Sequence, residues 1–199
     1  MFIRIFKIVG NSTTNMIGAG MLQIIAILFM TQRLGHLVKT FGAGHPPDLW
    51  FGYDSDSVYS WLEKVGPNGR SCYMDMVAWD LFPYMEAYTI LLGSFMLKES
   101  ETAKRGEKLA LIFPLAMMCD LVETVLNGYA TREFPNRIDD RLVQLSSIAN
   151  QIKWILFASG LLILSYLFVF NYFNKGITVD ADADTSSTGK RGKRDKKTN

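Results

Sequence analysis

The chain has 199 residues, of which 49% are hydrophobic and 20% charged, and 21 Lys and Arg against 19 Asp and Glu leave a net charge of +2. That balance leans away from an average soluble domain and, apart from a basic C-terminus, the chain carries no sign of nucleic-acid binding. Two cysteines, Cys72 and Cys119, imply free thiols and no disulfide framework. His36 and His45, both in polar connections, offer no soft metal site.

Hydrophobicity is segregated along the chain. Phe2, Ile3, Ile5, Phe6, Ile8 and Val9, interrupted by Arg4 and Lys7, predict an interfacial helix within an N-terminal arm, 1–11, that ends at Asn11-Ser12-Thr13-Thr14. A first span follows at about 12–31, with its apolar core from Met16 to Met30. Thr31-Gln32-Arg33-Leu34-Gly35 lacks the small-x-small pattern of a cleavage site, so the span reads as an uncleaved signal anchor.

The connection at 32–72 carries more order than a linker. Phe41 to Asp48 is turn-like, and Asp54 or Ser55 can cap a short helix that stops at Gly66-Pro67-Asn68-Gly69. Val58, Trp61, Leu62 and Val65 form its apolar stripe, which suits a cover over the helix ends. Second and third spans are expected at 73–97 and 108–130. Phe134-Pro135-Asn136 then turns the chain, Asp139 or Asp140 caps the next helix, and the fourth span covers 152–173. Each span has the ~20 residues needed to cross ~30 Å of hydrocarbon. The expected fold is all-α: a polytopic four-helix membrane domain, 12–174, with a partly ordered lumenal loop and a disordered basic cytosolic tail at 175–199.

Orientation follows from retained positive charge. The N-terminal arm, the second connection and the tail hold two, four and seven Lys or Arg, against four and three in the other two connections. Both termini are therefore expected in the cytosol. The terminal Lys196-Lys197-Thr198-Asn199 resembles the dilysine retrieval signal, which is read on a cytosolic C-terminus and implies the endoplasmic reticulum membrane; the alternative is a basic tail that attracts anionic lipid.

The chemistry lies in carboxylates inside the spans: Asp80 and Glu86 in the second, Asp120 and Glu123 in the third, with Asn127 beyond them. A charged side chain facing lipid at mid-bilayer costs on the order of 3 kcal/mol, so these groups must turn inward. Asp120, Glu123 and Asn127 share one helical face. Counting from the lumenal side puts Asp80 level with Glu123, and Pro83 frees a carbonyl beside Asp80. Asp80 and Glu86 are about 120° apart, so Asp80 is the expected partner of the acidic face and Glu86 faces the first or fourth helix. Lys153 is placed to reach the upper acids, Arg33 to approach from the first helix, and the hydroxyls of Tyr84 and Tyr88 are candidate donors. Tyr84, with Trp79 and Tyr88, can also build an aromatic box for an ammonium group.

Three readings of the acids stand open. They glue the bundle through interhelical hydrogen bonds, they line a cavity for a cation, an amine or a polar lipid head, or they shuttle protons in a membrane enzyme. The plan of four helices, cytosolic ends, intramembrane acids and a lysine-rich terminus is similar in topology to the sterol-isomerase and sigma-2-receptor group of membrane proteins. That similarity implies a lipid-modifying enzyme as one alternative and carries no residue role across. The expected function is binding of a small lipid, sterol or amine by Asp80, Tyr84, Glu86, Asp120, Glu123, Asn127 and Lys153, without metal or cofactor. The competing class is a non-catalytic subunit that assembles with a membrane-protein partner.

Overall fold

A computed structural model describes the backbone through residue 191 and the side chains through Asn174. The tail expected to be disordered falls on residues whose side chains or whole placement are outside that part, and the Lys196-Lys197 pair lies outside the described residues. Among the described residues the regular structure is all helical, with no strand.

Helix α1, Phe2–Gly10, buries Phe6 and packs Phe2 beside it on its inner side. Phe6 is fully buried and fills the space over Gly93, where a Cβ would stand 2.4 Å from the ring. The arm is thus docked on the bundle and does more than lie in the interface. Lys7 joins it to Glu107 at 2.5 Å and Glu101 at 3.7 Å.

Helix α2, Thr13–Phe41, is started by Ser12, whose hydroxyl accepts from the Asn15 N–H, and is ended by Gly42 in the left-handed region at φ 63°. It runs ten residues past the expected end at 31, because no proline or glycine interrupts the polar stretch that follows Met30 except Gly35. Asp54 caps α3, Ser55–Trp79, by accepting from the Ser57 N–H. Gly66, at φ 72° and ψ 176°, breaks α3, and Pro67 immediately reopens a helix, a position where its missing N–H costs nothing. The expected stop at Gly66 to Gly69 is therefore a sharp corner.

The expected second span, 73–97, is not a continuous helix. After Trp79 the chain makes a wide π-type turn, Asp80–Tyr84, in which Phe82 is extended at φ −161°, and α4 then runs Met85–Thr102. Pro83 has no N–H to give to the ladder and crowds the turn before it, which accounts for the break. A 3-10 turn, Glu107–Leu111, leads into α5, Ile112–Glu133. Helix α6, Asp140–Arg191, begins where the Asp139 carboxylate accepts from the Arg141 N–H.

Among the described residues, three segments are long and apolar enough to cross a membrane: Thr13–Phe41, Glu107–Glu133 and Asp140–Asn174. Their outer faces are apolar, as at Ile24, Leu28, Leu115, Met118, Leu162 and Phe168, while Asp120, Glu123, Asn127 and Lys153 are buried. Apolar outside and polar inside is the inverse of a water-soluble bundle and suits a lipid solvent. Close approach of α6 to α5 depends on Gly160, where a Cβ would meet Phe113 at 2.9 Å. Two apolar clusters hold the ends of the bundle: Trp61, Leu62, Tyr73 and Met76 at one, Phe6, Met96, Phe113 and Leu167 at the other. The polar site lies between them.

Candidate functional site

The face of α5 that carries Asp120, Glu123 and Asn127 is turned wholly inward, at 5%, 0% and 4% exposure. Facing it from α6, Lys153 reaches Glu123 Oε2 at 2.5 Å and Asp120 Oδ1 at 3.2 Å. One ammonium thus bridges two carboxylates, and the remaining acceptors are covered by phenols. Tyr88 donates to Asp120 Oδ2 at 3.1 Å, and Tyr53 donates to Glu123 Oε1 at 3.3 Å. Ion pairs this deep persist only when the other lone pairs are also satisfied.

The polar groups then divide in two. Glu123, Asn127, Ser146 and Tyr53 make a closed network. The Tyr53 hydroxyl lies 2.8 Å from Ser146 Oγ and 3.0 Å from Asn127 Nδ2, which donates to it. Burial, with the Glu123 charge beside it, pushes the Tyr53 phenol well above its ordinary range and keeps it a donor. Asp80, Asp120 and Lys153 instead line a partly open cavity of about 260 Å³.

The π-type turn aims Asp80 into that cavity, where Thr124 donates to its Oδ2 at 2.8 Å. That bond sets Asp80 beside Thr124 of α5. Tyr84 and Tyr88 form one wall, edge to face at 5.6 Å, and Tyr88 meets Phe157 in the same way at 5.6 Å. Ile27, Met30 and Leu34 of α2 and Trp154 of α6 close the apolar side.

A third acid completes the lining. Asp48 sits in the 3-10 turn Pro47–Leu49 of the connection between α2 and α3, and Tyr73 donates to its Oδ1 at 3.3 Å. Burial pushes the Asp48 carboxyl above its ordinary value, against the pull of the Lys153 charge. Asn150 donates to the Trp50 carbonyl at 2.5 Å, and the Tyr53 N–H donates to Ser147 at 2.8 Å. These bonds tie the segment after the turn to α6 and hold Asp48 at the cavity wall.

The cavity therefore collects Asp80, Tyr84, Asp120 and Lys153 from the residues singled out in the sequence. Glu123 stands behind Lys153, and Asn127 belongs to the closed network. Glu86 is elsewhere: it does not line the cavity, and its Oε2 is buried with no partner among the described residues. A continuous helix already sets Glu86 about 120° from Asp80, and the break at Asp80–Tyr84 lies between the two. Arg33 does not approach the acids; it pairs with Asp75 at 3.5 Å. Asp48, Tyr53, Thr124 and Ser146 were not anticipated. The usable signal for the first two was Pro46-Pro47-Asp48-Leu49-Trp50-Phe51, too apolar and aromatic for a solvated loop.

Both cysteines are free, and among the described residues no cluster of His, Cys, Asp or Glu could hold a metal ion. Comparison with protein-family models, with curated proteins and with solved structures finds no match to this chain.

Proposed function

We propose that this is a four-crossing membrane protein whose cavity binds a small amphipathic cation, an amine carried on a lipid-, sterol- or alkyl-type apolar body. The observation that carries this reading is the charge of the lining: Asp48, Asp80 and Asp120 face one space, and among the described residues Lys153 is the single cation beside them. Lys153 is already shared between Asp120 and Glu123. The donors that reach Asp80 and Asp48 are neutral, the hydroxyls of Thr124 and Tyr73, so an incoming ammonium supplies the missing charge. Tyr84 and Tyr88 present the ring faces and edges that hold such a group, and the apolar wall accepts its tail.

The fourth crossing in this reading is the broken one, Pro67 to Thr102, whose interruption places Asp80 within the bundle. Irregular backbone at membrane depth suits a segment that lines a cavity. The charge asymmetry of the connections supports cytosolic termini, and the terminal lysine pair supports residence in the endoplasmic reticulum. The closed network around Glu123 favours a second role for that half of the site, bundle cohesion, and this is also what an assembly subunit would need.

The test is a head-group series on one tail. N,N-dimethyloctylamine, octanol and octanoate are added to the detergent-purified protein, and thermal stabilisation is compared with Asp80→Asn and Asp48→Asn. The amine should stabilise the wild type above the alcohol, octanoate should not, and both variants should lose the amine's advantage. Equal stabilisation by amine and alcohol in all three proteins would refute the cationic assignment.

A further inference from the structure

Helix α2 has 29 residues, roughly 44 Å at the helical rise, well beyond ~30 Å of hydrocarbon. Its outward apolar side chains end at Leu28, and Thr31 and Gln32 are the first exposed polar groups after them. The last three turns of α2 therefore stand at headgroup depth. There Phe29, Gln32, Arg33 and His36 line a second, partly open cavity of about 450 Å³, which shares no residue with the acidic one. Their spacing of three, four and seven puts them on one face.

The floor of this cavity is aromatic. Phe29 stacks on Trp79 with centroids 3.9 Å apart, and the Arg33 guanidinium lies 5.1 Å over the Phe29 ring. Arg33 Nη1 faces Asp75 Oδ2 at 3.5 Å, and both side chains remain half exposed. That distance is too long for a good hydrogen bond, so the guanidinium keeps donors to offer. His36 uses Nδ1 with Thr40 at 3.1 Å; its Nε2 has no partner among the described residues.

The geometry points to a binding site for the zwitterionic head of a glycerophospholipid, with its phosphodiester on Arg33, His36 and Gln32 and its ammonium on Asp75. A guanidinium fork matches two phosphate oxygens, which an ammonium cannot do. Asp75, beside it and exposed, supplies the opposite charge that a phosphoethanolamine or phosphocholine head requires and that an anionic head would meet as repulsion. The Phe29–Trp79 ledge takes the glycerol and first acyl carbons at the depth where aromatic rings favour the interface. A free phosphate ion would have no use for that ledge.

The test is native mass spectrometry of the full chain ejected from nanodiscs made with equal parts phosphatidylethanolamine, phosphatidylcholine and phosphatidylglycerol of the same acyl chains. The wild type should retain a zwitterionic lipid in preference to phosphatidylglycerol. Arg33→Gln and His36→Gln should each lose it, while Lys64→Gln, exposed and off the stripe, should keep it. Asp75→Asn should move the retained ratio toward phosphatidylglycerol by about threefold, the size set by one half-exposed ion pair. Because His36 is in no ion pair among the described residues, its variant decides the matter even where Arg33→Gln folds poorly. The same lipid count in His36→Gln, or an unmoved ratio in Asp75→Asn, overturns the site. Release of the lipid by inorganic phosphate alone would assign the cavity to a free anion and overturn it as well.

Discussion

Lys153→Met keeps the length and most of the volume of the side chain and removes one charge from the middle of the bundle. In the wild type that charge holds Glu123, fully buried, at 2.5 Å and Asp120, 5% exposed, at 3.2 Å. The variant leaves each carboxylate with a single phenol, Tyr53 for Glu123 and Tyr88 for Asp120. Removing one member of a buried pair costs about 3–5 kcal/mol, since the partner charge stays desolvated. Proton uptake sets a ceiling of similar size, because neutralising an ordinary glutamate at pH 7 costs about 3.7 kcal/mol. For a chain of this length the loss corresponds to a fall of roughly 6–20 °C in the unfolding midpoint. Heating the detergent-solubilised protein and following the folded fraction by fluorescence-detected size exclusion reads it directly. The companion variant Lys153→Met/Glu123→Gln replaces the stranded charge with an amide and should recover more than half of the loss. A single variant within about 1 kcal/mol of wild type, or a double variant no better than the single, would show that the bridge carries no weight in the fold.

Tyr53→Phe removes the hydroxyl shared by Glu123, Asn127 and Ser146 and should cost about 1–3 kcal/mol, measured by the same heating assay, while leaving amine discrimination in place. Gly93→Ala sets a methyl 2.4 Å from the Phe6 ring and should lift α1 at a cost of about 1–3 kcal/mol. Tryptic cleavage at Arg4 and Lys7 should then speed up, and in chains that also carry Phe6→Ala the Gly93→Ala substitution should make no further difference. Asp48 gives a pH signature. Its folded carboxyl holds a proton more tightly than the unfolded one, so its contribution to stability is fully present below the ordinary value of 3.8 and is lost as pH rises. Asp48→Asn should therefore be the more stable protein at pH 7, with the advantage shrinking toward pH 4 in a series of melting curves. Gly66→Ala forces a Cβ into φ 72° and should lower stability by about 1 kcal/mol or more, again read by heating.

Much of the plan was legible one helix at a time. Apolar length marked α2, α5 and α6, and the caps at Asp54 and Asp139 appeared where short polar residues preceded periodic apolar ones. The inward face of α5 followed from lipid alone, since Asp120, Glu123 and Asn127 recur at helical spacing and none of them can face hydrocarbon at tolerable cost. Lys153 was reachable by the same reasoning, being a cation one turn inside an apolar helix with acids at its level. These are local conclusions, and each needs only the rise of a helix and the solvent around it.

What tertiary structure alone decided concerns groups brought together from far along the chain. Pro83 announced a bend, but the direction in which α4 leaves the turn at Asp80–Tyr84 depends on how it packs against α1, through Phe6 and Gly93. Asp48 and Tyr53 enter the bundle from a connection that periodicity cannot place, because a turn has no face until Asn150, Ser147 and Tyr73 fix it. The sequence by itself determined which side chains had to leave the lipid, a matter of solvation energy per residue. Only the packed bundle decided which of them share Lys153, which close on one another and which are left facing a cavity, because those are distances between helices and no single helix contains them.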